Sequence, residues 1–137
     1  MNFIMMIDDD PATNYLHELI VKKSELFKKH TTYNTGEVAL NYIKDIPNTG
    51  NDYPELILLD INMPAINGWE FIEEYEEIIE ELNLNTTIVM LTTSINPDDK
   101  IKALSYDSVK KFENKPLTVE KLKEITDEFS TTKNDNI

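Results

Sequence analysis

Five short apolar runs alternate with longer stretches of helical periodicity along this chain. Phe3-Ile4-Met5-Met6-Ile7, Ile57-Leu58-Leu59 and Ile88-Val89-Met90-Leu91 are apolar without alternation, which is how a strand buried on both faces reads. Strands are expected at 2–7, 25–31, 55–60, 86–92 and 109–113. The first helix opens with Asp10 as N-cap and Pro11 at the first helical position, where a missing N–H costs nothing. Its inward stripe is read as Leu16, Leu19 and Ile20, with Lys23 at the charged end. Further helices are expected at 36–46, 68–82, 97–105 and 118–130. In the third, Ile72, Tyr75, Ile79 and Leu82 share one face while glutamates occupy the rest, most simply a solvated surface. Residues 47–54 read as a polar surface loop, and 131–137 as a polar, disordered tail behind a single domain at 1–130.

Strands separated by helices make the class α/β, with a parallel sheet covered on both faces. Five such units in succession suit a flavodoxin-like doubly wound sheet of five strands in the order 2-1-3-4-5 with five helices. Ligands of such sheets bind outside the carboxyl ends of the strands.

At 137 residues the chain can bury one hydrophobic core. The 26 acidic against 13 basic residues, a formal net charge of −13, repel phosphate backbones and anionic lipid, so neither nucleic acid nor membrane is an expected partner. Cysteine is absent, which removes disulfides and thiolate metal sites and suits a reducing compartment; a cytoplasmic location is the expectation. The apolar opening is too short for a signal-peptide core or a membrane span, and no targeting segment is read.

The chemistry gathers at the strand ends. Asp8-Asp9-Asp10 closes the first strand, Asp60 the third, Thr92-Thr93-Ser94 the fourth, and Lys115-Pro116 follows the fifth. Carboxylates converging on one edge repel each other unless a divalent cation sits between them, and carboxylate, carbonyl and water oxygens suit Mg²⁺ rather than zinc or copper. A carboxylate beside Mg²⁺ with an ammonium and a hydroxyl nearby has the nucleophile, charge neutralisation and donors that phosphoryl transfer requires. His17 and His30 have no serine–histidine–aspartate arrangement around them and read as surface or half-buried residues.

The order Ile7-Asp8-Asp9-Asp10, Leu58-Leu59-Asp60-Ile61-Asn62-Met63-Pro64, Asn67-Gly68, Met90-Leu91-Thr92 and Lys115-Pro116 closely resembles the receiver domains of two-component response regulators, from residue 2 to about 130. The resemblance implies that Asp60 is the phosphoacceptor and that Asp8, Asp9, Asp60 and the backbone carbonyl of Asn62 hold Mg²⁺. It implies that Lys115 pairs with the phosphoryl group, that the Thr92 hydroxyl turns towards it, and that Pro116 carries a cis peptide. In the family that hydroxyl movement is coupled to an aromatic ring, here Phe112, which lacks a hydroxyl and serves equally as core packing. The implied output surface is the helix at 97–105, the fifth strand and the last helix, including Ile101, Tyr106, Phe112 and Lys121. Tyr106-Asp107-Ser108 replaces a small turn common in the family, and Thr93 is bulkier than the usual alanine or glycine. Trp69 reads as packing and as an optical probe close to Asp60.

The expected function is a stand-alone receiver, not an enzyme, that takes a phosphoryl group from a sensor histidine kinase or histidine phosphotransfer protein and signals by contact with a downstream protein. Homodimerisation through the output face is left open. Two alternatives stand beside it. A constitutive interaction module would keep the fold without being phosphorylated. A haloacid-dehalogenase-like phosphohydrolase would also use aspartyl phosphate and Mg²⁺, but places its nucleophile on the first strand with an acid two residues on.

Overall fold

A computed structural model describes residues 2–61, 63, 67–82, 85–93 and 95–134, with side chains as far as Phe129. Asn62, Pro64 and Ser94 lie outside the described residues. The parallel sheet is built from β1 (Phe3–Ile7), β2 (Lys29–Tyr33), β3 (Leu56–Leu59), β4 (Thr87–Thr92) and β5 (Val109–Asn114), in the order β2-β1-β3-β4-β5. This is the expected doubly wound α/β topology. Among the described residues the helices are α1 (Pro11–Ser24), α2 (Gly36–Lys44), α3 (Ile46–Thr49), α4 (Gly68–Leu82), α5 (Pro97–Leu104) and α6 (Val119–Asn134). The sixth helix is α3, a single turn that begins at the last residue of the expected second helix and runs into the stretch expected to be loop.

Alternate side chains of each central strand enter different cores, which is why these strands carry no polar alternation. Phe3, Met5, Ile7, Ile57, Leu59, Ile88 and Met90 pack with Leu40 and Ile43 of α2 and with Phe71, Ile72 and Tyr75 of α4. Ile4, Met6, Leu56, Leu58, Val89 and Leu91 pack with Val21 of α1 and with Leu122 and Ile125 of α6. The helix starts are set locally. Asp10 accepts from the Ala12 N–H at 3.1 Å, Thr35 from Val38 at 3.3 Å and Asn96 from Asp98 at 3.0 Å, each satisfying an otherwise orphaned donor. At α4 the cap is reciprocal: Asn67 accepts from the Glu70 N–H, and the Glu70 carboxylate from the Asn67 N–H.

Three expectations are corrected. The last helix runs to Asn134, so residues 131–134, expected as tail, are helical. The second strand lies at Lys29–Tyr33, about four residues beyond the expected start. Glu25 is the left-handed C-cap of α1 (φ 57°), and Leu26 and Phe27 pack on the second core from the connecting segment, so their apolar character does not mark the strand. The strand itself, Lys-His-Thr-Thr-Tyr at the sheet edge, is only half-buried. The buried residues of α1 are Asn14, His17 and Val21; of the expected stripe only Ile20 packs on the second core, half-buried, whereas Leu16 and Leu19 are exposed. Four consecutive or near-consecutive apolar residues cover more than one helix face, and Asn14 settles the rotation by reaching the sheet edge.

Candidate functional site: a carboxylate cluster at the strand ends

The strand register sets the site. Ile7 pairs with Tyr33 on one side and Leu59 on the other, and Thr92 pairs with Asn114. The residues next in sequence, Asp8, Asp60 and Lys115, therefore leave the sheet at one edge. Backbone bonds continue the alignment: Asp8 N–H donates to Tyr33, Asp60 N–H to Ile7 and Lys115 N–H to Thr92. The Lys115–Pro116 peptide is cis, as the resemblance implied.

One carboxylate oxygen from each of Asp8, Asp9 and Asp60 lies within 4.8 Å of the other two. Asp8 and Asp60 are buried (3% and 7% exposed), Thr92 is fully buried, and Asp9 faces solvent. The Lys115 Nζ lies 2.5 Å from Asp8 and 3.7 Å from Asp60. Three carboxylates thus face one ammonium in a recess closed on the protein side and open beside Asp9. That imbalance, made wholly of hard oxygen donors, fits a divalent cation of the Mg²⁺ type. Asn62 cannot be placed in this arrangement because it is outside the described residues.

Asn14 is a residue that sequence reasoning missed. Its buried side-chain amide donates to the Asp8 carbonyl at 2.8 Å, to the Tyr33 carbonyl at 3.1 Å and to the Asn34 side chain at 2.9 Å. It thereby ties the start of α1 to the ends of β1 and β2, where Asp8 turns into the recess. The sequence held no local signal for it, because its burial depends on which way α1 is rotated about its axis. The Asp8 carboxylate also accepts from the Asp10 N–H at 3.0 Å, which folds the aspartate triplet into a turn that aims Asp8 inward and leaves Asp10 to cap the helix.

Gly68 closes the opposite wall. A Cβ there would meet the Asp60 carbonyl oxygen and the Ile61 Cα at 2.8 Å, and its N–H donates to the Ile61 carbonyl at 2.8 Å. The first residue of α4 is therefore seated directly on the backbone of Asp60.

The histidines divide. His30 is half-buried, as expected, and its Nε2 pairs with Glu18 at 3.2 Å. His17 is buried at 6% exposure, contrary to the surface or half-buried position expected of it. Burial holds its imidazole below the usual titration range; the nearby Asp8 charge opposes this and Lys115 reinforces it. With Thr13, Leu16, Ile20, Pro116 and Leu117 it lines a mainly apolar cavity of about 280 Å³ behind Lys115. Phe112 is half-buried and packs on the first core.

The chain matches the response regulator receiver domain family over residues 4–127. It is 32% identical over 120 residues to the probable C4-dicarboxylate response regulator DctR of Halalkalibacterium halodurans, a match covering 88% of this chain and 47% of that protein. It is 27% identical over 126 residues to the probable methanogenesis regulatory protein FilR2 of Methanothrix harundinacea, covering 92% and 79% respectively. The crystal structure of a two-component response regulator from Cytophaga hutchinsonii superposes with a TM-score of 0.84 at 29% identity, covering 93% of this chain and 96% of that one. The protein belongs to the receiver domain family, whose members are signalling modules of two-component systems. It spans about half the length of DctR. No described helix is long and apolar enough to cross a membrane.

Proposed function

We propose that this chain is a phosphorylatable receiver in which Asp60 accepts a phosphoryl group from a phosphohistidine on a sensor kinase or phosphotransfer protein. The observation that carries this reading is the oxygen cluster of Asp8, Asp9 and Asp60 faced by Lys115 at the carboxyl edge of the sheet. Asp8, Asp9 and Asp60 would hold Mg²⁺, with the Asn62 carbonyl as a further ligand. When bound, that ion supplies neutralisation of the charge that otherwise keeps an anionic phosphoryl group away from anionic carboxylates.

Asp60 is the candidate nucleophile because it is buried at the strand end within reach of Lys115. Its carboxylate oxygen forms a bond to phosphorus as the P–N bond of phosphohistidine breaks. The electron pair of that bond returns to the imidazole nitrogen, and the ring leaves neutral when its other nitrogen already carries a proton. Lys115 neutralises an equatorial phosphoryl oxygen, and the Thr92 hydroxyl, at the end of the neighbouring strand, donates to another. Product and reactant differ by a unit of negative charge at Asp60, which shifts the population of nearby backbone states. Output follows by contact of the altered surface with a downstream protein.

Incubation with acetyl phosphate and Mg²⁺, followed by intact-mass measurement, tests the assignment. The expected result is one phosphoryl adduct on the wild-type chain that is base-labile, depends on Mg²⁺ and is absent from Asp60→Asn. A chain that takes no adduct from several small donors is instead a constitutive interaction module with the receiver fold.

A further inference from the structure

The helix α5 has little to hold it. Of its eight residues only Ala103 is buried, while Ile101 and Leu104 are exposed, as is Ile95 just before it. A helix with so few apolar contacts occupies the low end of local stability, and the polar and aromatic contacts it does make carry more weight than they would elsewhere.

Those contacts converge on α4 beside Asp60. The Lys102 Nζ lies 4.6 Å from the centre of the Trp69 ring. Tyr106, in the turn after α5, stacks on the same indole with ring centres 6.5 Å apart and planes 22° apart. Its hydroxyl donates to the Glu73 carboxylate at 3.1 Å, one turn further along α4. Burial and then the Glu73 carboxylate push the Tyr106 hydroxyl upward from its ordinary titration range. Trp69 follows Gly68, whose Cα has no room for a side chain against the Asp60 carbonyl and whose N–H is bonded to Ile61. A backbone shift at Asp60 must therefore move Gly68, and with it the indole on which Lys102 and Tyr106 rest.

We propose that Trp69, Lys102 and Tyr106 form a latch that holds α5 against α4 while Asp60 is unmodified and releases it when Asp60 is phosphorylated. The inference rests on the phosphoacceptor reading above and adds the route by which its state reaches a surface. The route runs along the β3–α4 side of the pocket and requires no movement of Phe112. Release alters the presentation of Ile101 and Leu104, the two large apolar side chains that α5 exposes.

Hydrogen–deuterium exchange of the full chain, read on peptides covering residues 97–105 beside the intact mass, tests the latch. In unmodified Lys102→Gln and Tyr106→Phe, α5 amides should exchange roughly two- to fivefold faster than in the wild type, the range expected from losing one exposed cation–π or hydrogen-bond contact. Exchange in β1 and β3 should not change, which separates latch opening from loss of global stability. Acetyl phosphate with Mg²⁺ should accelerate α5 exchange in the wild type, and much less in the variants, although all three take up the adduct equally. Full adduct formation with the same acceleration in wild type and variants would overturn the latch while leaving Asp60 as phosphoacceptor. A wild-type chain that forms no adduct overturns the phosphoacceptor reading and the coupling with it.

Discussion

His17 shows how a single side chain can sit outside the chemistry and still tie the pocket to pH. It is buried on the inner face of α1, and burial lowers its folded-state pKa, with Asp8 opposing the shift and Lys115 adding to it. The unfolded chain, with a histidine near 6.5, binds the proton more readily than the folded one. The stability this group contributes is therefore fully present above about pH 6.5 and is lost as the pH falls through the lower folded value. Urea unfolding midpoints between pH 7.5 and 5.5 should fall in the wild type and fall less steeply in His17→Gln. Equal slopes would mean that the imidazole takes up its proton in the folded chain without penalty. Asn14, one turn earlier, shows the contrasting case of a buried polar group that stays neutral: its donor hydrogens are engaged on the Asp8 and Tyr33 carbonyls and the Asn34 side chain, while its buried Oδ1 has no hydrogen-bond partner among the described residues, a desolvation cost that the donor contacts must offset.

Helix α1 is the element whose orientation the structure changes most from expectation, and its rotation can be tested by stability alone. Val21 is 2% exposed in the second core, whereas Leu16 is 57% exposed. Val21→Ala should cost about 2 kcal/mol, from the lost methyl groups and the cavity they leave, while Leu16→Ala should stay within about 0.5 kcal/mol. Chemical denaturation distinguishes these, and the reverse ranking would restore the face expected from the apolar stripe. The contrast with the other elements explains what was legible. Central strands declare themselves because both faces are buried, and α4 does so because its apolar positions repeat at helical spacing against a background of glutamate. β2 is an edge strand made of polar and β-branched residues, and its apolar neighbours Leu26 and Phe27 belong to a loop that packs, so its position depended on tertiary pairing with β1. The site residues were readable because each ends a strand, and parallel strands bring their ends together whatever the loops do. The roles of Asn14 and Gly68 were not readable in the same way, because one depends on helix rotation and the other on the distance between two backbones.

At the scale of the whole molecule, the formal charge of −13 and the three facing carboxylates of Asp8, Asp9 and Asp60 oppose compactness through two mechanisms that separate experimentally. Diffuse repulsion among surface carboxylates is screened by any salt within a Debye length of about 8–10 Å. Repulsion inside the recess is not, because Asp8 and Asp60 are buried and only an ion of the right size and charge can enter among them. Mg²⁺ at about a hundred times its dissociation constant should therefore stabilise the wild-type chain by roughly 2.7 kcal/mol. For a domain of this length that corresponds to a rise of about 10 °C in Tm. Sodium chloride at matched ionic strength should produce a smaller rise, and EDTA should reverse only the Mg²⁺-specific part. Asp60→Asn removes one carboxylate from the recess, so it should gain less from Mg²⁺ while keeping the full response to sodium chloride. If Mg²⁺ and sodium chloride at equal ionic strength stabilise the wild type equally, the recess does not bind the ion specifically. The carboxylates would then be held together by Lys115 alone, and the electrostatic case for phosphoryl transfer at Asp60 would lose its main support.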